Sequence, residues 1–180
     1  NAGLACLDHV VSSVWQEGYS HHITRLMILS NLATLLDVRP RELTDWFWCA
    51  YTDAFDWVVE PNVLGMGTFA LGELMTTKPY VSGANYIAKM SDYCGNCAYD
   101  VKTKTGEGAC PFNLLYWHFL IRHRERFEKN PRMAQMYSTF DRMKPERRET
   151  VLEETLALRA ISEIVTFSFV SIMKGFLMPI

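Results

Sequence analysis

The sequence has 180 residues, 49% of them apolar and 21% charged, and a formal net charge of −2. That composition is enough for one globular domain with a full core, and it excludes a disordered chain or a strongly basic nucleic-acid wrapper. No basic-then-apolar leader opens the sequence. Its most apolar run, Ile164 to Met173, falls short of the ~20 residues of a membrane span, so no membrane partner is expected.

In chain order, almost every segment reads as helix. Asn1 is not an initiator methionine and "NAGLACLDHVVSSVWQEGY" reads as a helix already in progress, so a longer parent chain is expected. Ser20 is placed to cap "HHITRLMILSNLATLLDV", whose Ile23, Leu26, Met27, Leu32 and Leu35 recur at helical spacing. Pro40 suits the first position of "PRELTDWFWCAYTDAF". The aromatic block from Asp45 to Trp57 is apolar nearly all round, which predicts a buried helix with Cys49 in the core. Its acids Asp45, Asp53 and Asp56 then require partners, such as a cation or a planar cofactor. Gly65, Gly67 and Gly72 make "NVLGMGTFALGELM" short and irregular. Ser82 is placed to cap "GANYIAKMSDY", a long helix is expected after Pro111 as far as Asn130-Pro131, and two more follow. The expected fold is all-α, with seven or eight helices. From Arg122 to Arg148, nine Lys/Arg stand against four acids, read first as a solvated helix face and second as a phosphate-contacting patch.

Three of the five cysteines fall in the polar stretch "MSDYCGNCAYDVKTKTGEGAC". Cys94 and Cys97 form C-x-x-C, Gly95 lets the chain turn between them, and Cys110 follows thirteen residues later. A fourth ligand would be Cys6 or Cys49. With no export signal a reducing, cytoplasmic compartment is expected, so disulfides rank last. Spacing alone does not separate zinc from an iron–sulfur cluster, and structural zinc ranks first on the residues alone.

Three segments together, "EGYSHHITRLMILSNLATLLDVRPRELTDWFW", "DAFDWVVEPNVLGMGTFALGELMTTKPYVSGANYI" and "SDYCGNC", resemble the iron–sulfur bacterial cryptochromes and prokaryotic (6-4) photolyases. The resemblance covers essentially the whole chain and implies that residues 1–180 are the C-terminal portion of a helical FAD-binding domain. An antenna chromophore would sit in a separate N-terminal α/β domain. It implies a 4Fe-4S cluster on Cys6, Cys94, Cys97 and Cys110, reversing the preference for zinc. The implied partner is DNA carrying a UV photoproduct.

By the same resemblance His21 and His22 are the catalytic proton-transfer pair, with imidazole chemistry suited to exchange near neutrality. His22, Arg25, Asp53, Glu60 and Asn62 surround the flavin. Trp46 is the nearest member of an electron relay, with Phe47 where a tyrosine is usual and Trp48 as a substitute. Tyr80 and Tyr86 face the lesion. A cryptochrome-type blue-light photoreceptor and a helical iron–sulfur nucleic-acid-binding module are the alternatives. Loss of an upstream half would expose an apolar face open to self-association.

Overall fold

The computed structural model describes residues 3–106 and 108–154. The expected helix beyond 154 and the apolar run Ile164 to Met173 lie outside the described residues. Among those described the fold is all-α: there is no strand, only an isolated bridge between Asp100 and Ala109. No described helix is long and apolar enough to cross a membrane.

Helix α1 (Ala5–Glu17) buries Cys6, Val10 and Val14 along one stripe and stops at Gly18, whose φ of 61° gives the left-handed turn. Its N–H closes onto Val14 and its carbonyl accepts from Thr52, so the end of α1 is pinned to the later chain. A composite helix follows: α2 (His22–Thr24), wider π turns over Arg25–Ser30, then α3 (Asn31–Leu35). Helix α4 (Pro40–Ala50) starts on its proline as expected. Helix α5 (Asp56–Val59) runs into a second π stretch, Glu60–Gly67. A 3₁₀ turn at Gly72–Leu74 precedes α6 (Ala84–Met90), and another, Tyr93–Asn96, opens the cysteine loop. Helices α7 (Pro111–Arg122), α8 (Arg124–Phe127) and α9 (Ala134–Asp141) follow, and residues 145–154 are helical. The long helix expected after Pro111 is thus interrupted at His123.

The two π stretches pack on one another, and Gly67 is why they can. A Cβ there would lie 2.9 Å from Ser30 Oγ and 3.3 Å from the Asn62 carbonyl. The core draws on the first π stretch and on α3, α4 and α7, with Ile28, Leu29, Leu35, Leu43, Phe47 and Phe112 almost fully buried.

Two expected caps are corrected. Ser20 is buried and its hydroxyl pairs with Tyr51 at 2.7 Å; the cap is His21, whose Nδ1 accepts from the Ile23 N–H. Ser82 does not cap α6 either. Its backbone is held by Asn31, which accepts from the Ser82 N–H and donates to the Ser82 carbonyl. The first N–H of α6, on Ala84, is met instead by Asn113 Oδ1 from α7 at 3.1 Å, while Asn113 Nδ2 donates to the Val101 and Thr103 carbonyls of the cysteine loop. One amide therefore joins two helices and a loop, and it is only 5% exposed. Asn113→Ala is expected to cost about 1–2 kcal/mol in urea unfolding, because the buried Ala84 N–H and the Thr103 carbonyl lose their partner while the Val101 carbonyl keeps Lys104. A loss below about 0.5 kcal/mol would mean that water serves them equally well.

The aromatic block is not one buried helix. Helix α4 ends at Ala50, where Tyr51 turns extended. Trp46 and Phe47 are buried, whereas Trp48, Phe55 and Trp57 are exposed, and so is Cys49. Of the three acids only Asp53 meets a nearly buried cation; Asp45 and Asp56 lie at the exposed surface.

Candidate functional site

The best-defined polar group of the molecule is built around Arg25. The first π turn carries its side chain inward until only 9% of the residue is exposed. Arg25 Nε donates to the Ser20 carbonyl at 2.7 Å, and its two terminal nitrogens donate to both oxygens of Asp53 at 2.9 Å each. The guanidinium carbon lies 4.1 Å from the centre of the Tyr51 ring and 5.0 Å from that of Tyr19. A buried cation is thus neutralised by a fork-matched carboxylate and held by ring quadrupoles. Of five guanidinium N–H groups, three are assigned in this arrangement, leaving two for an incoming acceptor. Tyr51 is pushed up to about 12 by burial, against the pull of Ser20 and Arg25, so it stays a neutral phenol. Neither Tyr19 nor Tyr51 is a site residue in the sequence reading, and Ser20 enters there only as a helix cap; the available signal was Tyr51 standing two residues before Asp53.

The other expected site residues fall around this centre to different degrees. His21 and His22 are exposed neighbours with ring centroids 4.4 Å apart. Trp46 is buried edge-on to both Phe47 and Tyr51, and Phe47 stacks flat on Tyr51 at 5.0 Å. That aromatic column ends at Arg25. Trp48 is 41% exposed and absent from the column. The Glu60 carboxylate is taken by Arg41 at 3.0 Å, which also holds Asp45. Asn62 donates back to the Val58 carbonyl at 2.7 Å. Tyr80 and Tyr86 are each about half exposed, and Tyr86 lines a cavity of about 430 Å³.

The cysteine loop folds against α1. Asp100 accepts from the backbone of Lys102 and Thr103 and from the Thr103 hydroxyl, which draws its carboxyl below the usual range. The Cys97 thiol points to the Gly3 carbonyl at 3.6 Å, and Tyr93 packs on His9. All five cysteines are free thiols; Cys6 and Cys110 are buried, Cys94 and Cys97 half-buried. Burial first, then Cys110, Cys97 and Cys94, push the Cys6 thiol up to about 12. Burial, with Cys97 and Cys94 acting in the same direction, lifts Cys110 to about 11. The four therefore lie within electrostatic reach of one another, and Cys49 does not figure among them. Among the described residues, no group of three or more His, Cys, Asp or Glu stands close enough to hold a metal ion. The set fits a soft-metal or cluster site in chemistry and neighbourhood, without ligating geometry.

The amino-acid sequence has counterparts among known proteins. A (6-4) photolyase of Agrobacterium fabrum is 48% identical over 138 residues, 77% of this chain and 27% of that protein. An uncharacterized protein of Acanthamoeba polyphaga mimivirus is 33% identical over 102 residues, 57% of this chain and 76% of that protein. No protein-family profile matches. The chain belongs to the photolyase family, and it spans about a quarter of the length of the photolyase it matches.

Proposed function

We propose that this chain contributes the flavin-facing and cysteine-bearing helices of a light-driven DNA-repair enzyme of the (6-4) photolyase type, acting on DNA with a UV photoproduct. The observation that carries the reading is the 48% identity to a (6-4) photolyase, joined to the Arg25–Asp53 fork. FAD, when bound and reduced, supplies the electron that light drives onto the photoproduct. Arg25 presents its remaining N–H groups to the ring system, and Asp53 and Ser20 hold it in that orientation. His22, Glu60 and Asn62 complete the surround. Glu60 is oriented by Arg41 and Asn62 by the Val58 carbonyl. His21 and His22 deliver a proton to the lesion and recover it as oxygen moves between the bases. Trp46 is the inner electron donor and Trp48 the outer one, while Tyr80 and Tyr86 stack on the extruded bases.

Cys6, Cys94, Cys97 and Cys110 are proposed to hold a 4Fe-4S cluster whose first role is structural, fastening α1 to the loop after Tyr93. Support comes from the mutual reach of the four thiols and from the way burial sets them apart from Cys49. The test is an absorption spectrum of protein purified without oxygen, with iron and sulfide analysis. A broad brown shoulder is expected; it should disappear in Cys6→Ala and Cys110→Ala and persist in Cys49→Ala. A colourless protein containing zinc would sink the cluster and leave a structural metal module. Structured flavin bands beside the shoulder would report that this chain alone retains FAD.

A further inference from the structure

Tyr86 opens onto a groove that no part of the proposed electron or proton chemistry uses. Its first cavity, about 430 Å³, lies within the size range of small-ligand sites (roughly 300–1,000 Å³). Tyr86, Tyr116 and Trp117 supply aromatic surface, and Lys78, Lys104 and Arg147 supply charge. A second cavity of about 500 Å³ adjoins it, sharing Thr139, Met143 and Arg147 and adding Arg142 and Lys144. Among the described residues no carboxylate lines either cavity.

The neighbouring cations are spent differently. Arg122 is paired with Asp37, and Arg124 with Glu128 and Asp141. Among the described residues none of the five groove cations forms an ion pair. Lys104 is nevertheless positioned, its ammonium donating to the Val101 carbonyl at 2.8 Å. These cations come from the segment before α6, from the cysteine loop and from residues beyond α9, yet they line one continuous depression.

We infer that this groove binds the sugar–phosphate strand that flanks the extruded lesion, with Lys78, Lys104 and Arg147 on successive phosphates and a neighbouring base over the aromatic surface. A single anion would need one cavity. Two adjoining cavities with cations along both match a repeating charge, and an aromatic floor under a positive wall suits unpaired bases without sequence preference. The inference rests on the DNA-repair reading above, because Tyr86 at the rim is what ties the groove to the lesion.

The experiment is fluorescence anisotropy of the chain with a labelled single strand of about 15 nucleotides, near the upper end of site sizes for such grooves. The strand is used with and without one (6-4) photoproduct, across a salt series. The Lys78→Gln/Lys104→Gln/Arg147→Gln variant is expected to lose at least tenfold in affinity for both strands equally. The slope of log affinity on log salt should fall by about 2, roughly 0.7 for each phosphate released. The charge-keeping Lys78→Arg/Lys104→Arg variant should bind like the parent; a matching loss there would overturn the charge argument. Unchanged slope and affinity in the glutamine variant, with the parent still preferring the photoproduct, would overturn the groove and leave the repair reading standing. A fallen slope with no photoproduct preference in the parent would do the reverse. A parent that binds neither strand overturns both.

Discussion

His21→Asn is expected to lower (6-4) repair at least about a hundredfold while leaving stability within about 0.5 kcal/mol of the parent. The two halves of that expectation come from two jobs done by one imidazole. Nδ1 of His21 accepts from the Ile23 N–H at 3.3 Å and so caps the composite helix. With that lone pair engaged, the neutral ring carries its proton on Nε2, and the His22 ring lies 4.4 Å away between centroids. Asparagine is among the best N-capping residues and can take over the first job, yet it cannot shuttle a proton near neutrality. Alanine removes both, so His21→Ala should lose repair and also about 1 kcal/mol of stability. His22→Ala should lose repair to the same order. The readouts are photoproduct repair per photon and urea unfolding, measured on the flavin-loaded protein. Normal repair by His21→Asn would reduce that histidine to a helix cap, and normal repair by both alanine variants would remove the pair from the chemistry altogether.

Local pattern carried much of the fold and little of the tertiary detail. Helical spacing and the positions of Pro40 and Pro111 placed the helices, because a proline at the first turn and an apolar stripe are local facts. The expected caps failed for a tertiary reason: Ser20 is taken by Tyr51 and Ser82 by Asn31, residues 31 and 51 positions away. The π turns were invisible because one extra residue per turn barely disturbs an apolar stripe over six or eight residues, whereas the close contact of Gly67 with Ser30 depends on two segments meeting. The aromatic block misled by composition. Its period was read as if the helix ran through Tyr51, and the extended turn there puts Trp48, Phe55 and Trp57 outside. The Arg25–Asp53 pair follows from the resemblance, and its aromatic sandwich only from the folded structure. Of the groove cations, Arg147 falls in the basic stretch Arg122 to Arg148, whereas Lys78 and Lys104 share no local pattern with it.

The Arg25 fork sets the second large effect. Arg25→Ala is expected to cost about 3 kcal/mol, more than Asp53→Ala at about 1–2 kcal/mol. The asymmetry follows from burial. The Arg25 side chain is 11% exposed and that of Asp53 44%, so water can partly replace the carboxylate and screen the remaining charge, but cannot refill the space between Tyr19 and Tyr51. Arg25→Ala also strips a donor from the Ser20 carbonyl and both donors from Asp53. Arg25→Lys separates charge from shape. It keeps the cation but cannot fork onto two carboxylate oxygens while reaching Ser20, so a loss near 2 kcal/mol is expected. Urea unfolding gives these values, and flavin absorbance after purification adds the functional test. If the fork orients Arg25 toward bound FAD, Asp53→Asn should shed flavin by more than its stability loss accounts for, since a neutral amide leaves the guanidinium free to swing. Flavin retention that simply follows stability across all four variants would make the fork a structural clamp. An Arg25→Ala loss under about 1 kcal/mol would place the pair with ordinary surface salt bridges.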